Sequence, residues 1–314
     1  MGRAGLLRRL PEKKSVRRRV RPALLIPAAC TLSFLSGCGE KELERPYSFA
    51  EQEASFSEPA GAGSLPLFAQ DLCVITQGDG PEDASMTAQA GGLFNVTDAG
   101  VIYSKNAFER MYPASITKVM TAILAIEEGD PDEMITVGQE AVIDEAGASL
   151  CGIKPGDQLT LRQLLYGLMI PSGNDAANTI AVHLYGSIDA FAERMNERAR
   201  ELGATATHFV NPNGLNDENH YTTAYDLYLI FNEALKLPEF REIIGTSSFT
   251  ASYAGADGES CQQTWTVGNW YQKGEEPAPE GVTVLGGKTG TTQAAGGCLI
   301  MASSDAAPKE YISV

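Results

Sequence analysis

Apolar residues at Val119, Met120, Ile123, Leu124 and Ile126 recur at helical spacing and give way to Gly129-Asp130-Pro131. The pattern predicts a helix that opens near Ser115, after an extended approach through Pro113-Ala114, and closes before Gly129. A second helix is announced by Thr160-Leu161-Arg162-Gln163, which has the form of a capping box, and runs through Leu164, Leu165, Leu168, Met169 and Ile170 until Pro171 ends it. A third is expected from near Asp175, after a turn at Ser172-Gly173, with Asn174 or Asp175 available to cap it. From Thr160 to Glu242 the period stays largely helical, whereas strand signals cluster before Ser115 and after Thr264. Leu93-Phe94-Asn95-Val96 carries such a signal on one side, and Val282-Thr283-Val284-Leu285 and Cys298-Leu299-Ile300-Met301 carry it on the other. An arrangement that returns both ends of the chain to one sheet is α+β, neither a βαβ alternation nor a helical bundle. Between Leu72-Cys73-Val74-Ile75 and the Leu93 strand, the Gly/Asp/Ala-rich segment from Gln77 to Gly92 reads as a loop.

The first 65 residues follow a different pattern. Nine Arg and Lys residues lie within residues 1–22, followed by an apolar run from Ala23 to Leu35 that is too short for a comfortable membrane span, which is the form of an export signal. The run ends in Leu35-Ser36-Gly37-Cys38, a sequence that resembles a bacterial lipobox and predicts cleavage before Cys38 with a diacylglycerol on its sulfur. Residues 39–65, rich in Glu, Ser, Ala, Gly and Pro, read as a flexible tether, so 38–65 separate the signal (1–37) from a folded unit over 66–314. Loss of residues 1–37 removes nine of 24 basic residues and one of 40 acidic ones, leaving a net charge of −24. So acidic a chain disfavours nucleic acid as a partner, and charge would oppose association with anionic lipid, so a membrane location relies on the acyl group.

Four cysteines remain, Cys73, Cys151, Cys261 and Cys298, which allow three pairings or free thiols. His183, His208 and His220 are scattered, without metal-ligand spacing, and neither a metal nor a cofactor is expected.

Three motifs carry the chemistry. Ser115 is the only serine with a lysine three residues on, in Ser115-Ile116-Thr117-Lys118, and on a helix that spacing puts hydroxyl and amine on one face within hydrogen-bond reach. A serine hydroxyl needs a base to become a nucleophile at neutral pH, and a lysine serves only if burial or another cation lowers its pKa. Unpaired amides at the start of the same helix offer positive partial charge where an oxyanion would form. Ser172-Gly173-Asn174, between two helices, offers a second hydroxyl and a carboxamide. Lys288-Thr289-Gly290 follows a β-branched run and leads through Thr291 toward Gly296-Gly297, which predicts a hairpin with a cation and a hydroxyl on one edge. Such an edge suits an extended peptide ending in a carboxylate.

In that order, S-x-x-K, S-x-N and K-T-G resemble the D-alanyl-D-alanine carboxypeptidases, the low-molecular-weight penicillin-binding proteins. The resemblance runs from about Leu93 to the end of the chain and takes in Val101-Ile102-Tyr103-Ser104-Lys105-Asn106. It also includes Phe209-Val210-Asn211-Pro212-Asn213-Gly214-Leu215 and His220-Tyr221-Thr222-Thr223-Ala224-Tyr225-Asp226. It implies a β-lactamase/transpeptidase-like α+β fold, an antiparallel sheet flanked by helices with a helical subdomain between the first and third motifs. By position, Ser115 would be the acylated nucleophile, Lys118 its base, Ser172 a proton relay and Asn174 a hold on the substrate amide. Lys288 and Thr289, with Gly290 beside them, would bind the terminal carboxylate, and the amides of Ser115 and Thr291 would form the oxyanion hole. The implied partners are the peptidoglycan stem peptide and β-lactams as covalent inhibitors. The E-x-x-L-N segment that a class A β-lactamase needs for deacylation is missing, so β-lactams are expected to inhibit and not to turn over well.

Related endopeptidase, esterase and transpeptidase activities stay open, as does a catalytically idle wall-binding lipoprotein. The chain stops at Tyr311-Ile312-Ser313-Val314, inside the strand expected after the hairpin, which predicts either a fragment or an incomplete sheet.

Overall fold

A computed structural model describes residues 71–76, 78–81 and 85–314. The export signal, the tether and Cys38 lie outside the described residues.

Five strands form one antiparallel sheet: β1 (Gly91–Asn95), β2 (Gly100–Lys105), β7 (Thr283–Thr292), β8 (Gly296–Ser304) and β9 (Glu310–Ser313), in the order β2-β1-β9-β8-β7. β9 pairs with β1 on one side and β8 on the other, aligning Phe94, Ile312 and Ala302 in one row across three strands. All three are at most 1% exposed. Because side chains alternate faces along a strand, that shared row is the sheet's inner face. The chain's last residues thus join the two hairpins of the sheet, and β1 begins at Gly91, inside the stretch that reads as loop.

Helix α1 (Lys118–Glu128) is buried continuously from Lys118 to Ala125. It packs against α2 (Leu161–Met169), α3 (Asn174–Tyr185), α4 (Ile188–Glu201), α5 (Ala224–Ala234) and α6 (Pro238–Gly245). A helix buried on every side over two turns belongs in a core, not on a surface. α5 backs the sheet, with Tyr228 stacked on Phe94 at 4.2 Å between ring centroids. Tyr228 and Tyr225 also hold the chain before β1: the Cys73 amide donates to the Tyr228 hydroxyl at 2.8 Å, and the Tyr225 hydroxyl donates to the Cys73 carbonyl at 2.9 Å.

Where sequence signals are local, the elements agree with them. The Thr160–Gln163 capping box forms with both of its hydrogen bonds, Gln163 N to Thr160 Oγ1 at 3.2 Å and Thr160 N to Gln163 Oε1 at 2.9 Å, and α2 ends before Pro171. Two details differ. Pro113 takes helical, not extended, angles, and the chain turns instead at Ala114, whose φ is 48°. The interval between the first and third motifs also holds a second antiparallel sheet, β3 (Met134–Thr136), β4 (Gln158–Thr160), β5 (Ser248–Ala254) and β6 (Ser260–Thr266). β3 and β4 are three residues each, too short to display a period, and β5–β6 buries only Ala251 and Trp265 along fourteen mostly polar positions. Cys73, Cys151, Cys261 and Cys298 are free thiols.

Candidate active site

The turn at Ala114 opens a 3₁₀ turn, Ala114–Thr117, that runs directly into α1. A non-glycine residue at positive φ is strained, and such strain persists where the surroundings enforce it. Ser115 is not the N-cap that its position would allow. No side-chain capping bond forms at this turn, which leaves its hydroxyl for other work.

One helical turn on, Lys118 is fully buried. Its Nζ lies 3.0 Å from Ser115 Oγ, 2.6 Å from Asn174 Oδ1 and 2.6 Å from the carbonyl of Asn213. Burial pushes its pKa well below the ordinary lysine value, the charge of Lys288 adds to the effect, and the Asp175 carboxylate opposes it. A neutral amine has two hydrogens and one lone pair. The Asn174 and Asn213 oxygens only accept, so they take the two hydrogens, and the lone pair is left facing the Ser115 hydroxyl. That is the arrangement of a base poised on a nucleophile.

Ser172 carries the second strained backbone, with φ at 65°. Gly173 N donates to Gly167 O at 3.0 Å, and a Cβ at Gly173 would meet Gly167 O at 2.7 Å and Cys151 Cβ at 2.9 Å, so only glycine fits this turn. Neither Asn174 nor Asp175 is the N-cap of α3, a position held by Gly173, although Asp175 Oδ1 accepts from the first-turn amide of Ala176 at 3.0 Å. Asn174 reaches Lys118, and the buried Asp175 carboxylate accepts from the amides of Cys151 at 2.9 Å, Gly152 at 2.7 Å and Ile153 at 3.2 Å. The S-x-N turn is thereby pinned to the loop before β4.

β7 is an edge strand of the large sheet. Lys288, 2% exposed, donates from Nζ to Ser172 Oγ at 2.8 Å and to its neighbour's carbonyl, Thr289 O, at 2.8 Å. Burial lowers its pKa to about 7. Gly290 lets the strand run against the nucleophile turn: a Cβ there would lie 2.8 Å from Ser115 N and 3.1 Å from Ala114 Cβ. The alternation of β7 sends Lys288 and Gly290 toward the helices. Thr289 and Thr291 line a groove of about 400 Å³ with Asn269, Trp270 and Tyr271. A larger cavity, about 450 Å³, is lined by Met111, Tyr112, Pro113, Ile116, Leu227 and Val314 among others and holds none of the motif hydroxyls or amines.

The three motifs thus converge as two serine–lysine pairs, Ser115 with Lys118 and Ser172 with Lys288, joined through the Ser172-Gly173-Asn174 turn. Two contributors escape sequence reasoning. Asp175 reads as a cap until the loop it anchors is seen, and the Asn213 carbonyl is a backbone group that no residue type advertises. Among the described residues no group of three or more His, Cys, Asp or Glu side chains could hold a metal ion.

An antiparallel sheet flanked by helices, with these motifs between them, is the architecture of the penicillin-binding serine peptidases. The crystal structure of the Streptomyces K15 DD-transpeptidase superposes with a TM-score of 0.66 at 32% identity, over 72% of this chain and 88% of that one. The family model for D-alanyl-D-alanine carboxypeptidases, peptidase S11, matches residues 78–314, and the chain belongs to this family. Relatives include the D-alanyl-D-alanine carboxypeptidase of Streptomyces sp. strain K15, 33% identical over 70% of this chain and 77% of that protein. D-alanyl-D-alanine carboxypeptidase DacF of Bacillus subtilis is 35% identical over 58% of this chain, a match that spans 48% of DacF. The chain therefore covers about half the length of some of the relatives it matches.

Proposed function

We propose that this protein is a serine-type D-Ala-D-Ala carboxypeptidase that removes the terminal D-alanine from peptidoglycan stem peptides through an acyl-enzyme. The observation that carries the reading is the buried Lys118, whose Nζ is held by Asn174 Oδ1 and the Asn213 carbonyl within hydrogen-bond distance of Ser115 Oγ. In this mechanism Ser115 Oγ attacks the carbonyl of the penultimate D-alanine as Lys118 takes its proton. The amides of Ser115 and Thr291 receive the oxyanion, and Ser172 passes a proton to the departing D-alanine nitrogen. Asn174 holds the substrate amide, and Lys288, Thr289 and Gly290 form the seat of the terminal carboxylate. Water then releases the shortened peptide. A β-lactam follows the same first steps and stays attached, which makes fluorescent penicillin the direct test. Label at Ser115 together with D-alanine release from a stem pentapeptide supports the reading, and a folded protein that takes no label refutes it.

The solved relatives named DD-transpeptidases favour one second reading, transfer of the acyl group to an amine. Lys288 separates the two. If it reads a free carboxylate, Lys288→Ala weakens acid substrates more than their amides, by roughly 1.5 to 3 kcal/mol for a charge-assisted hydrogen bond, or about tenfold to a hundredfold in kcat/KM. Equal losses on acid and amide would point to a substrate that continues beyond the cleaved bond.

The same proposal puts the enzyme on the outer face of the cytoplasmic membrane, held by diacylglycerol on Cys38. Among the described residues no helix is long and apolar enough to cross a membrane. Cys38→Ala is expected to abolish lipid labelling and to release processed protein from, or stall the precursor at, the membrane. Unchanged retention of a correctly processed variant would exclude the anchor.

A further inference from the structure

Apart from the Asn213 carbonyl, the segment Phe209–Leu215 and the His220 that follows it have no role in the chemistry above, yet they meet the nucleophile helix on one face. Thr121 Oγ1 donates to Pro212 O at 2.6 Å, and Lys118 Nζ donates to Asn213 O at 2.6 Å. At Gly214, whose φ is 87°, a Cβ would come within 1.9 Å of Ala114 O, so the loop backbone lies directly against the turn before Ser115. The loop is braced within itself and against α3. Asn211 Oδ1 accepts from Gly214 N at 2.7 Å, Asn213 Oδ1 accepts from Leu215 N at 2.8 Å, and Asn213 Nδ2 donates to Asn178 Oδ1 at 2.9 Å.

A third side chain couples this loop to the helix, from the loop's own side. His220 is 2% exposed, with its ring edge-on to Phe209. Its Nδ1 lies 3.1 Å from the amide nitrogen of Val210, and its Nε2 lies 2.8 Å from Thr117 Oγ1. An amide can only donate, so Nδ1 is the acceptor and the ring proton sits on Nε2, from which it is donated to Thr117. The ring is neutral, its pKa lowered to about 4 by burial. An imidazolium would have no acceptor for Val210. Thr117 sits between the Ser115 turn and Lys118, so the ring ties the residue beside the base to the loop that supplies one of the base's two acceptors.

We propose that His220 is a positioning residue for acylation: through Val210 and Thr117 it locks the 209–214 loop onto the nucleophile turn, and so holds the Asn213 carbonyl where it orients Lys118. The inference rests on the reading of Ser115 and Lys118 as the acylating pair. Without the lock, the Asn213 carbonyl is free to drift, the amine loses the partner that fixes its rotation, and its lone pair no longer points only at Ser115. Misplacement of this kind slows the chemical step without altering the surface that binds substrate.

The test is the limiting rate of acylation by fluorescent penicillin, with the half-saturating concentration and the melting temperature measured alongside. Thr117→Val keeps the shape and removes the acceptor, and is expected to lower the limiting rate about ten- to a hundredfold with half-saturation nearly unchanged. Thr117→Ser restores the hydroxyl and the rate. His220→Ala gives a loss like that of Thr117→Val, and the double variant is no worse than either alone, because both break one link. His220→Gln, which keeps a donor and an acceptor, serves if the alanine variant does not fold. A rate for folded Thr117→Val or His220→Gln near that of the wild type overturns the proposal, as do losses that multiply in the double variant or a serine variant as slow as the valine one. Absence of label on the wild-type protein would instead remove the acylation reading itself.

Discussion

Ser115→Ala is expected to give a folded protein that neither retains labelled penicillin nor releases D-alanine. The substitution deletes one oxygen. Because no capping bond forms at the 3₁₀ turn, the helix start loses nothing that the hydroxyl was supplying. The buried contacts of Ala114, Ile116 and Thr117 on either side are untouched. The melting temperature should therefore stay close to that of the wild type while acylation falls by roughly a thousandfold or more, the scale on which the loss of a nucleophile acts. Intact-mass spectrometry after incubation with penicillin reads both states directly. A variant that still gains the mass of one penicillin at the wild-type rate would move the nucleophile to another hydroxyl, with Ser172, the serine of the second serine–lysine pair, the first candidate.

Lys118→Ala should stop acylation almost as completely, and at a cost to the fold that Ser115→Ala does not carry. Removing the amine strands Asn174 Oδ1 and the Asn213 carbonyl in a buried site, and each unsatisfied acceptor costs about 1 to 3 kcal/mol. A lower melting temperature accompanied by lost acylation is thus the expected pair of results. As the proposed base, the same lysine is expected to set the acid limb of the wild-type pH profile. Lys118 acts as a base only when neutral, so activity rises as the pH climbs through its depressed pKa. Lys288 acts in the opposite sense. As the proposed seat of a carboxylate it would bind best when protonated, and with a pKa of about 7 its affinity is expected to fade as the pH rises above that value. For acid substrates kcat/KM should be bell-shaped, whereas amidated substrates should lose the alkaline limb. A profile that rises without limit to high pH for both would show that neither lysine is tuned by burial.

The two lysines also show where sequence reading stops. Spacing alone places Ser115 and Lys118 on one face, since a helix repeats every 3.6 residues whatever surrounds it, and the 3.0 Å contact agrees. The Thr160–Gln163 box and the glycine-flanked hairpin of β7 and β8 are equally local. What lowers the proton affinity of Lys118 is burial, and burial comes from α2, α3 and α5 closing around α1, elements that begin about 40 to over 100 residues away. The convergence of Ser172 on Lys288, separated by 116 residues, is of the same kind.

The particular failures share that cause. Pro113 and Ala114 suggested an extended approach because a strained φ is never favoured locally. It survives at Ala114 and Ser172 only where packing enforces it. Asp175 looked like a helix cap because three of its four amide partners lie on a loop more than twenty residues upstream. β3 and β4 were invisible because three residues carry no period, and they become strands only by pairing with each other and with β5. The sequence by itself therefore determined the motifs, the helices that carry the first two and the strand that carries the third, all written in short-range spacing and composition. Tertiary structure alone decided which carbonyl holds Lys118, which backbone bends to present Ser172, and how far each lysine's proton affinity falls, because solvent exclusion and long-range contacts exist only once the chain has closed on itself.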